Sequence, residues 1–262
     1  MRIKILVAAH KKFPMPTDRI LYLPILVGAV NNYKNGIDFQ RDDEGTNISN
    51  KNPNYNELTA IYWAWKNLEN VDAVGLVHYR RFFSFDRKKK GMDGLTKKQV
   101  GKLLEETPVV LPKKRHYIIE TNYSHYIHAH HKYPLDETRQ VIADFYPQYL
   151  QSFDNVMSKR SAHMFNMFIM KWNYFDKYAT WLFGILEKLE RKIDISNFSV
   201  QEARVFGYLA EVLMDVWIEK GRISYKEIYW NQIGEKHTLK KAAAFLVRKF
   251  FQKDSNKTNT HF

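Results

Sequence analysis

The chain has 262 residues, with 41 Lys and Arg against 28 Asp and Glu for a formal net charge of +13. A hydrophobic share of 45% and an aromatic share of 15% exclude a disordered chain, and the length supports one domain with a substantial core. The absence of cysteine excludes a disulfide scaffold, a thiol nucleophile and a thiolate metal centre, and fits a reducing compartment. The charge points to acidic company: nucleic acid, an anionic membrane face or a phosphorylated substrate.

Ile3–Ala9 is a continuous apolar run closed by His10, Lys11 and Lys12, which predicts a buried strand rather than a signal peptide. No segment reaches the roughly 18 apolar residues of a membrane span. A second strand is predicted over Ile25–Val30, then a polar loop from Asn31 to Tyr55. Glu57–Leu68 has helical spacing, with Asn54 or Asn56 available as a cap. Val71–Val77 is the next predicted strand, Arg87–Lys102 an exposed basic excursion, and Val109–Leu111 a short strand ended by Pro112. Beyond it, Asp136–Phe153, Ala162–Lys171, Tyr174–Arg191 and Ser199–Glu219 predict helices, the last ended by Gly221. The expected class is α/β, with strands mostly in the N-terminal half and helices in the C-terminal half.

The strongest local signal is Gly75-Leu-Val-His-Tyr-Arg-Arg-Phe-Phe83. A strand leaving an α/β sheet delivers its next residues to the ligand crevice, and here they are an imidazole, a phenol and two guanidiniums suited to a diphosphate. A surface Arg pair bridged to carboxylates fits the same pattern. The loop Gly45–Glu57 brings amides and hydroxyls to a helix start, which suits an anion or sugar hydroxyls but also ordinary capping. Arg204, Tyr208 and Glu211 share one helical face, as a general base with its neighbours or as an intrahelical ion pair. His125, His128, His130 and His131 lack a recognised ligand spacing and read as exposed or substrate-facing rather than metal-binding.

Taken together, Ala8-Ala-His-Lys11, Asn47-Ile-Ser49, Asn52-Pro53, Glu57-Leu-Thr59, Tyr62-Trp-x-Trp-Lys-Asn67, His78-Tyr-Arg-Arg81, Asn166-Met-Phe-Ile169 and Arg204-x-Phe-Gly-Tyr-Leu-x-Glu211 resemble the DUF4422 family of bacterial polysaccharide-biosynthesis glycosyltransferases. The resemblance covers residues 1 to 232. It departs at Val212, where relatives often carry Arg. It implies a GT-A-like (Rossmann-type) fold, a UDP-sugar donor (galactose or galactofuranose favoured) and a polyprenyl-diphosphate-linked oligosaccharide acceptor in capsule, exopolysaccharide or O-antigen synthesis. On this basis His78, Arg80 and Arg81 are expected to neutralise the leaving diphosphate. Glu211 is the leading catalytic base, ahead of Glu57 and Asp215, in an inverting transfer. His10, Lys11, Asn47, Asn56, Glu57, Tyr79 and Arg204 are expected at the donor. The sequence has no Asp-x-Asp spacing, so no divalent cofactor is expected, although Asp42-Asp43-Glu44 offers an acidic patch for Mg²⁺ or Mn²⁺.

One domain is expected over 1–235. Residues 236–253 hold six Lys/Arg and no acid, with Leu239, Ala242, Leu246 and Phe250 on one helical stripe; residues 254–262 read as a disordered tail. Such a basic amphipathic helix predicts peripheral attachment to an anionic surface, the cytoplasmic face of the plasma membrane. A helix docked on the domain is the alternative. A nucleic-acid-binding role lacks any recognised motif, and no nucleic-acid partner is expected. A non-catalytic scaffold of a polysaccharide-synthesis complex is the remaining alternative.

Overall fold

Ile3–Ala9 forms the first strand with the boundaries the sequence predicts, because both of its faces are covered. The computed structural model describes residues 1–87, 91–92 and 94–233. In chain order the elements are β1 (Ile3–Ala9), β2 (Tyr22–Leu26), α1 (Ala29–Asn32), β3 (Gln40–Arg41), α2 (Asn52–Tyr55), α3 (Leu58–Asn67), β4 (Ala73–His78) and β5 (Arg81–Ser84). There follow α4 (Lys97–Glu106), β6 (Val109–Pro112), β7 (Arg115–His116), α5 (Asn122–Ala129), α6 (Lys132–Phe145), α7 (Leu150–Ser158) and β8 (Ser161–Ala162). The last are β9 (Phe168–Lys171), α8 (Trp172–Glu190), α9 (Val205–Gly221) and β10 (Tyr225–Gln232).

β3, β2, β1 and β4 are parallel neighbours, with Ala8 opposite His78 across β1 and β4. β9 runs antiparallel between β4 and β6, and β10 links β6 to β5. The single pair His78–Arg81 joins β5 back to β4, so five strands form a closed ring of pairings. β7 and β8 make a separate small ribbon.

Alternate residues of β1 serve two cores, as the strand period requires. Leu6 and Ala8 pack toward α3, α8 and α9, whereas Ile3, Ile5, Val7 and Ala9 pack toward α4. The protein is therefore a mixed α/β sheet covered on both faces.

Several expected elements shift. The second strand starts at Tyr22, and Gly28, at φ 61°, opens α1 where a strand end was expected. The polar stretch 31–55 carries β3 and α2, and the basic excursion ends in α4, whose Thr96–Gln99 capping box starts a helix with buried Val100, Leu103 and Leu104. The helix expected over Asp136–Phe153 is two, α6 and α7, parted at Pro147. The helix expected over Ala162–Lys171 is instead β8, a turn and β9. Phe168, Ile169 and Met170 are fully buried, and a strand covered on both faces shows no alternation to distinguish it from a helix. β9 and β10 bring two strands from the C-terminal half into the main sheet, while its other six lie in the N-terminal half and the longest helices, α6, α8 and α9, lie in the C-terminal half as expected. α3 has no side-chain cap: Asn56 sits at φ 52° and Asn54 bonds to the Ala203 carbonyl. Gly221 is the last residue of α9, and Arg222 takes the left-handed position. The expectations for 236–253 and 254–262 lie outside the described residues. Among the described residues, no helix is long and apolar enough to cross a membrane.

Candidate active site

The parallel register of β1 and β4 sends His10, Lys11 and His78–Arg81 off the same sheet edge, as expected. The tight return at Tyr79-Arg80 then separates the two arginines. Arg80 is exposed at the tip, its guanidinium 5.6 Å from the Phe13 ring and 5.3 Å from the Tyr79 ring. Arg81 is half-buried, 4.2 Å above the Phe165 ring. The His10 ring meets Tyr79 edge-on at 5.4 Å. Its pKa is lowered by burial and then by the charges of Lys11, Arg80 and Arg204. Three cations from separate elements thus converge on one imidazole.

The other wall comes from α3 and α9. Asn56 Oδ1 accepts from Arg204 Nε at 2.8 Å, and its Nδ2 donates to the Arg204 carbonyl at 3.4 Å, so Asn56 holds the arginine at both ends. A Cβ on Gly207 would lie 2.4 Å from Asn56 Nδ2, which is why the α9 position beside this clamp has no side chain. Glu57 Oε1 accepts from Asn166 Nδ2 at 2.6 Å, and Asn166 Nδ2 also reaches the Gly207 carbonyl at 3.1 Å.

Phe165 and Asn166 connect the two walls. Both are non-glycine residues at positive φ, 73° and 52°, a backbone that the neighbouring bonds hold in place. The Phe165 carbonyl accepts from His78 Nε2 at 2.7 Å, while the Phe165 backbone N–H donates to Glu211. That bond places the His78 proton on Nε2. Burial lowers the His78 pKa, with Arg81 and Arg204 adding to it against Glu57, so the imidazole is neutral at pH 7. Burial pushes the Glu211 carboxyl up to about 8, helped by the charge of Glu57 and opposed by the Phe165 hydrogen bond, Arg81 and Arg204. Burial also lowers Arg81, against Glu211 and Glu57, yet a guanidinium stays charged. Among the described residues, Arg81 Nε and Asn166 Oδ1 are buried without a hydrogen-bond partner.

The structure thus brings together His78, Arg81, Glu57, Glu211, Asn56 and Arg204, with His10, Lys11, Tyr79 and Arg80 beside them. It does not bring in Asn47, whose amide is spent on its own loop: Nδ2 donates to the Asp43 and Gly45 carbonyls at 3.0 and 2.8 Å, and Oδ1 accepts from Ser49 N at 3.1 Å. Asp215 is buried and taken by His163, through its backbone N–H at 3.0 Å and its Nδ1, which removes it as a candidate base. Asp42 is fully buried and accepts from Gly28 N, Ala29 N, Ser49 Oγ and Thr59 Oγ1, while Asp43 pairs with Arg41. Of the acidic run 42–44, Asp42 therefore fastens the start of α1, Asp43 is paired with Arg41, and Glu44 accepts from Gln40 Nε2. Phe165 carried no signal in the sequence reading, and Asn166 was noticed only as part of a motif.

The histidine cluster divides. His125 and His128 both meet Glu120, at 2.8 and 2.7 Å; His131 pairs with Glu202 at 2.9 Å; His130 stacks on Tyr208 with centroids 4.0 Å apart. His125, His130, Tyr208 and Glu211 line one open-sided pocket, and so does Val212, the position of the family departure.

The family described as a domain of unknown function, DUF4422, matches residues 4–222. No curated protein matches. A solved apo structure of WbbM, a bifunctional glycosyltransferase, superposes with a TM-score of 0.82 at 30% identity over 90% of this chain. The chain spans 46% of that protein, somewhat under half its length.

Proposed function

From the premise that the chain belongs to the DUF4422 family, we propose that it is a GT-A-like glycosyltransferase that moves a hexose from a UDP-sugar to a hydroxyl of a lipid-linked oligosaccharide. The observation that carries this reading is the meeting of two groups at one sheet edge. Lys11, Arg80 and Arg204 converge on His10, and beside them Glu211 holds a carboxyl near pKa 8. The first suits a diphosphate leaving group and the second suits a general base. The likeness to a chain described as a bifunctional glycosyltransferase supports the same class.

In this reading Lys11, Arg80 and Arg204 neutralise the charge that grows on UDP as the anomeric carbon–oxygen bond breaks. Neutral His78 contributes through its ring rather than as a cation. The acceptor oxygen attacks the anomeric carbon from the opposite face, forms the new glycosidic bond and gives its proton to Glu211, with inversion. Glu57, Asn166 Oδ1 and Arg81 Nε hold donor-sugar hydroxyls. Galactose or galactofuranose is the favoured sugar, and the pathway is capsule, exopolysaccharide or O-antigen synthesis at the cytoplasmic membrane face. The cations already in place do the work of a divalent ion.

A donor screen tests the reading. UDP release from UDP-galactose or UDP-galactofuranose in the presence of EDTA supports it. Absence of UDP binding and of UDP release across the UDP-hexoses rejects it.

A further inference from the structure

The connection between β7 and α5 is a short loop fixed at both ends that carries its apolar residues outward. Tyr117 N–H donates to the Arg160 carbonyl at 2.8 Å and Asn122 N–H to the Lys159 carbonyl at 2.7 Å, so both ends are pinned to adjacent residues. Between them Glu120 is buried, and its carboxylate is taken by His125 and His128. Thr121 adds the capping box that starts α5. With the loop tied down in this way, Ile118 and Ile119 are left 90% and 63% exposed.

Single exposed apolar side chains are ordinary, but two adjacent isoleucines held out on a pinned loop form a patch that a partner would cover. The surround is cationic. Lys113, Lys114 and Arg115 precede the loop, and Lys159 and Arg160 hold its base. Glu227 pairs with Lys113 and Glu219 with Lys159, while Lys114 donates to the neutral Tyr225 hydroxyl at 3.1 Å. Cations therefore outnumber carboxylates beside the isoleucines. A second copy of the chain would bring like charge against like. A nucleic acid would need an open aromatic platform, and the ring next to the loop, Tyr117, is already stacked on His125 at 4.1 Å. An anionic lipid surface accepts both features: the isoleucines enter the acyl boundary and the Lys and Arg heads meet the phosphates.

The position of the patch adds to this. Ile118 and Val200 are the two most exposed large hydrophobic residues among the described ones, at 90% and 89%. Each adjoins a residue at the Glu211 cleft. Tyr117 lines the cleft with Glu211, and Gln201 donates to the hydroxyl of Tyr208, which lines it too.

We propose that the Ile118-Ile119 loop, with the cations around it, docks the protein on an anionic lipid bilayer and sets the Glu211 cleft beside that surface. The docking surface stands on the loop itself and is separate from the basic stretch 236–253. Only its use, bringing a lipid-linked acceptor to Glu211, rests on the transferase reading.

The full chain has no cysteine, so Ile118→Cys carries one environment-sensitive fluorophore. On vesicles of phosphatidylglycerol and phosphatidylethanolamine its emission should move to the blue and be quenched by nitroxides on the acyl chains. The same label at Ile20→Cys should show neither change, since Ile20 is 75% exposed but precedes β2 at the opposite sheet edge. Joint Ile118→Ser and Ile119→Ser substitution should weaken vesicle binding about tenfold or more. Arg160→Gln should weaken it about fivefold, a loss that shrinks at high salt. These variants should bind UDP within about twofold of the parent. Vesicle binding without quenching at position 118 overturns the proposal, as does a parent chain that ignores anionic vesicles. Loss of a dimer with unchanged vesicle binding in the double serine variant assigns the isoleucines to a second copy and overturns it as well. Quenching at 118 in a chain that neither binds UDP nor releases it from any UDP-sugar keeps the lipid surface and rejects the transferase reading.

Discussion

Glu211 lies in α9 and Glu57 just before α3, and the charge of Glu57 is second only to burial in pushing the Glu211 carboxyl up to about 8. A carboxyl there is half-ionised near working pH, where a general base is most effective. kcat/KM should therefore rise with pH through about 8 and level off above it. Glu57→Gln removes the neighbouring charge and should move that rise to lower pH, while Arg81→Gln removes an opposing cation and should move it higher. Profiles of UDP release between pH 5 and 9.5 check both signs; a rise that stays in place in both variants contradicts the coupling.

The same shift has a cost in stability. The folded state holds the Glu211 proton more tightly than the unfolded chain, so its contribution to stability falls as pH rises from the ordinary carboxylate range to about 8. Glu211→Gln should thus melt above the parent at pH 8.5, by a few degrees, and with it at pH 4. Equal melting temperatures at both pH values would show that the carboxyl is not perturbed.

The separation of the two arginines gives them different phenotypes. Arg80, exposed and beside His10, should act on the diphosphate: Arg80→Ala weakens UDP binding about tenfold, and the loss shrinks at high salt. Arg81→Gln should leave UDP affinity nearly unchanged and alter the pH profile instead. Isothermal titration with UDP at two salt concentrations measures the difference.

Gly207 tests the clamp on Arg204. An added methyl would meet Asn56 Nδ2 at 2.4 Å and shift the amide that fixes the guanidinium. Gly207→Ala should lower kcat/KM by about 10²-fold, the size expected when a binding group is displaced by an ångström. Asp42→Ala serves as the contrast, since Asp42 fastens α1 and is linked to the clamp only through Thr59, whose hydroxyl bonds to Asp42 and to the Asn56 carbonyl. It should cost about 3 kcal/mol of stability, seen as a lower melting temperature that added Mn²⁺ does not restore.

Much of this site was legible in the chain because its residues lie in runs whose local structure is strongly specified. β1 and β4 announce themselves as apolar runs, so His10, Lys11 and His78–Arg81 follow at one edge; the spacing of Arg204, Tyr208 and Glu211 fixes their common face. What could not be read depends on tertiary packing. Phe165 and Asn166 lie in an apolar stretch whose strand is buried on both faces, so the segment looked helical and its positive-φ turn was hidden. Asn47 and Asp42 looked like ligand-binding groups because amides and carboxylates that satisfy backbone N–H groups have the same composition as those that bind substrates. The two adjacent arginines read as one clamp, and only the hairpin geometry separates them.

The most direct test of the whole account is UDP release by the full chain and its Glu211→Gln variant, in EDTA, with an acceptor-competent lipid extract. The account predicts turnover by the parent and a loss of about 10²–10⁴-fold in the variant, with UDP affinity preserved. A variant that turns over at the parent's rate, or a parent that needs Mn²⁺ or Mg²⁺ for any activity, contradicts it.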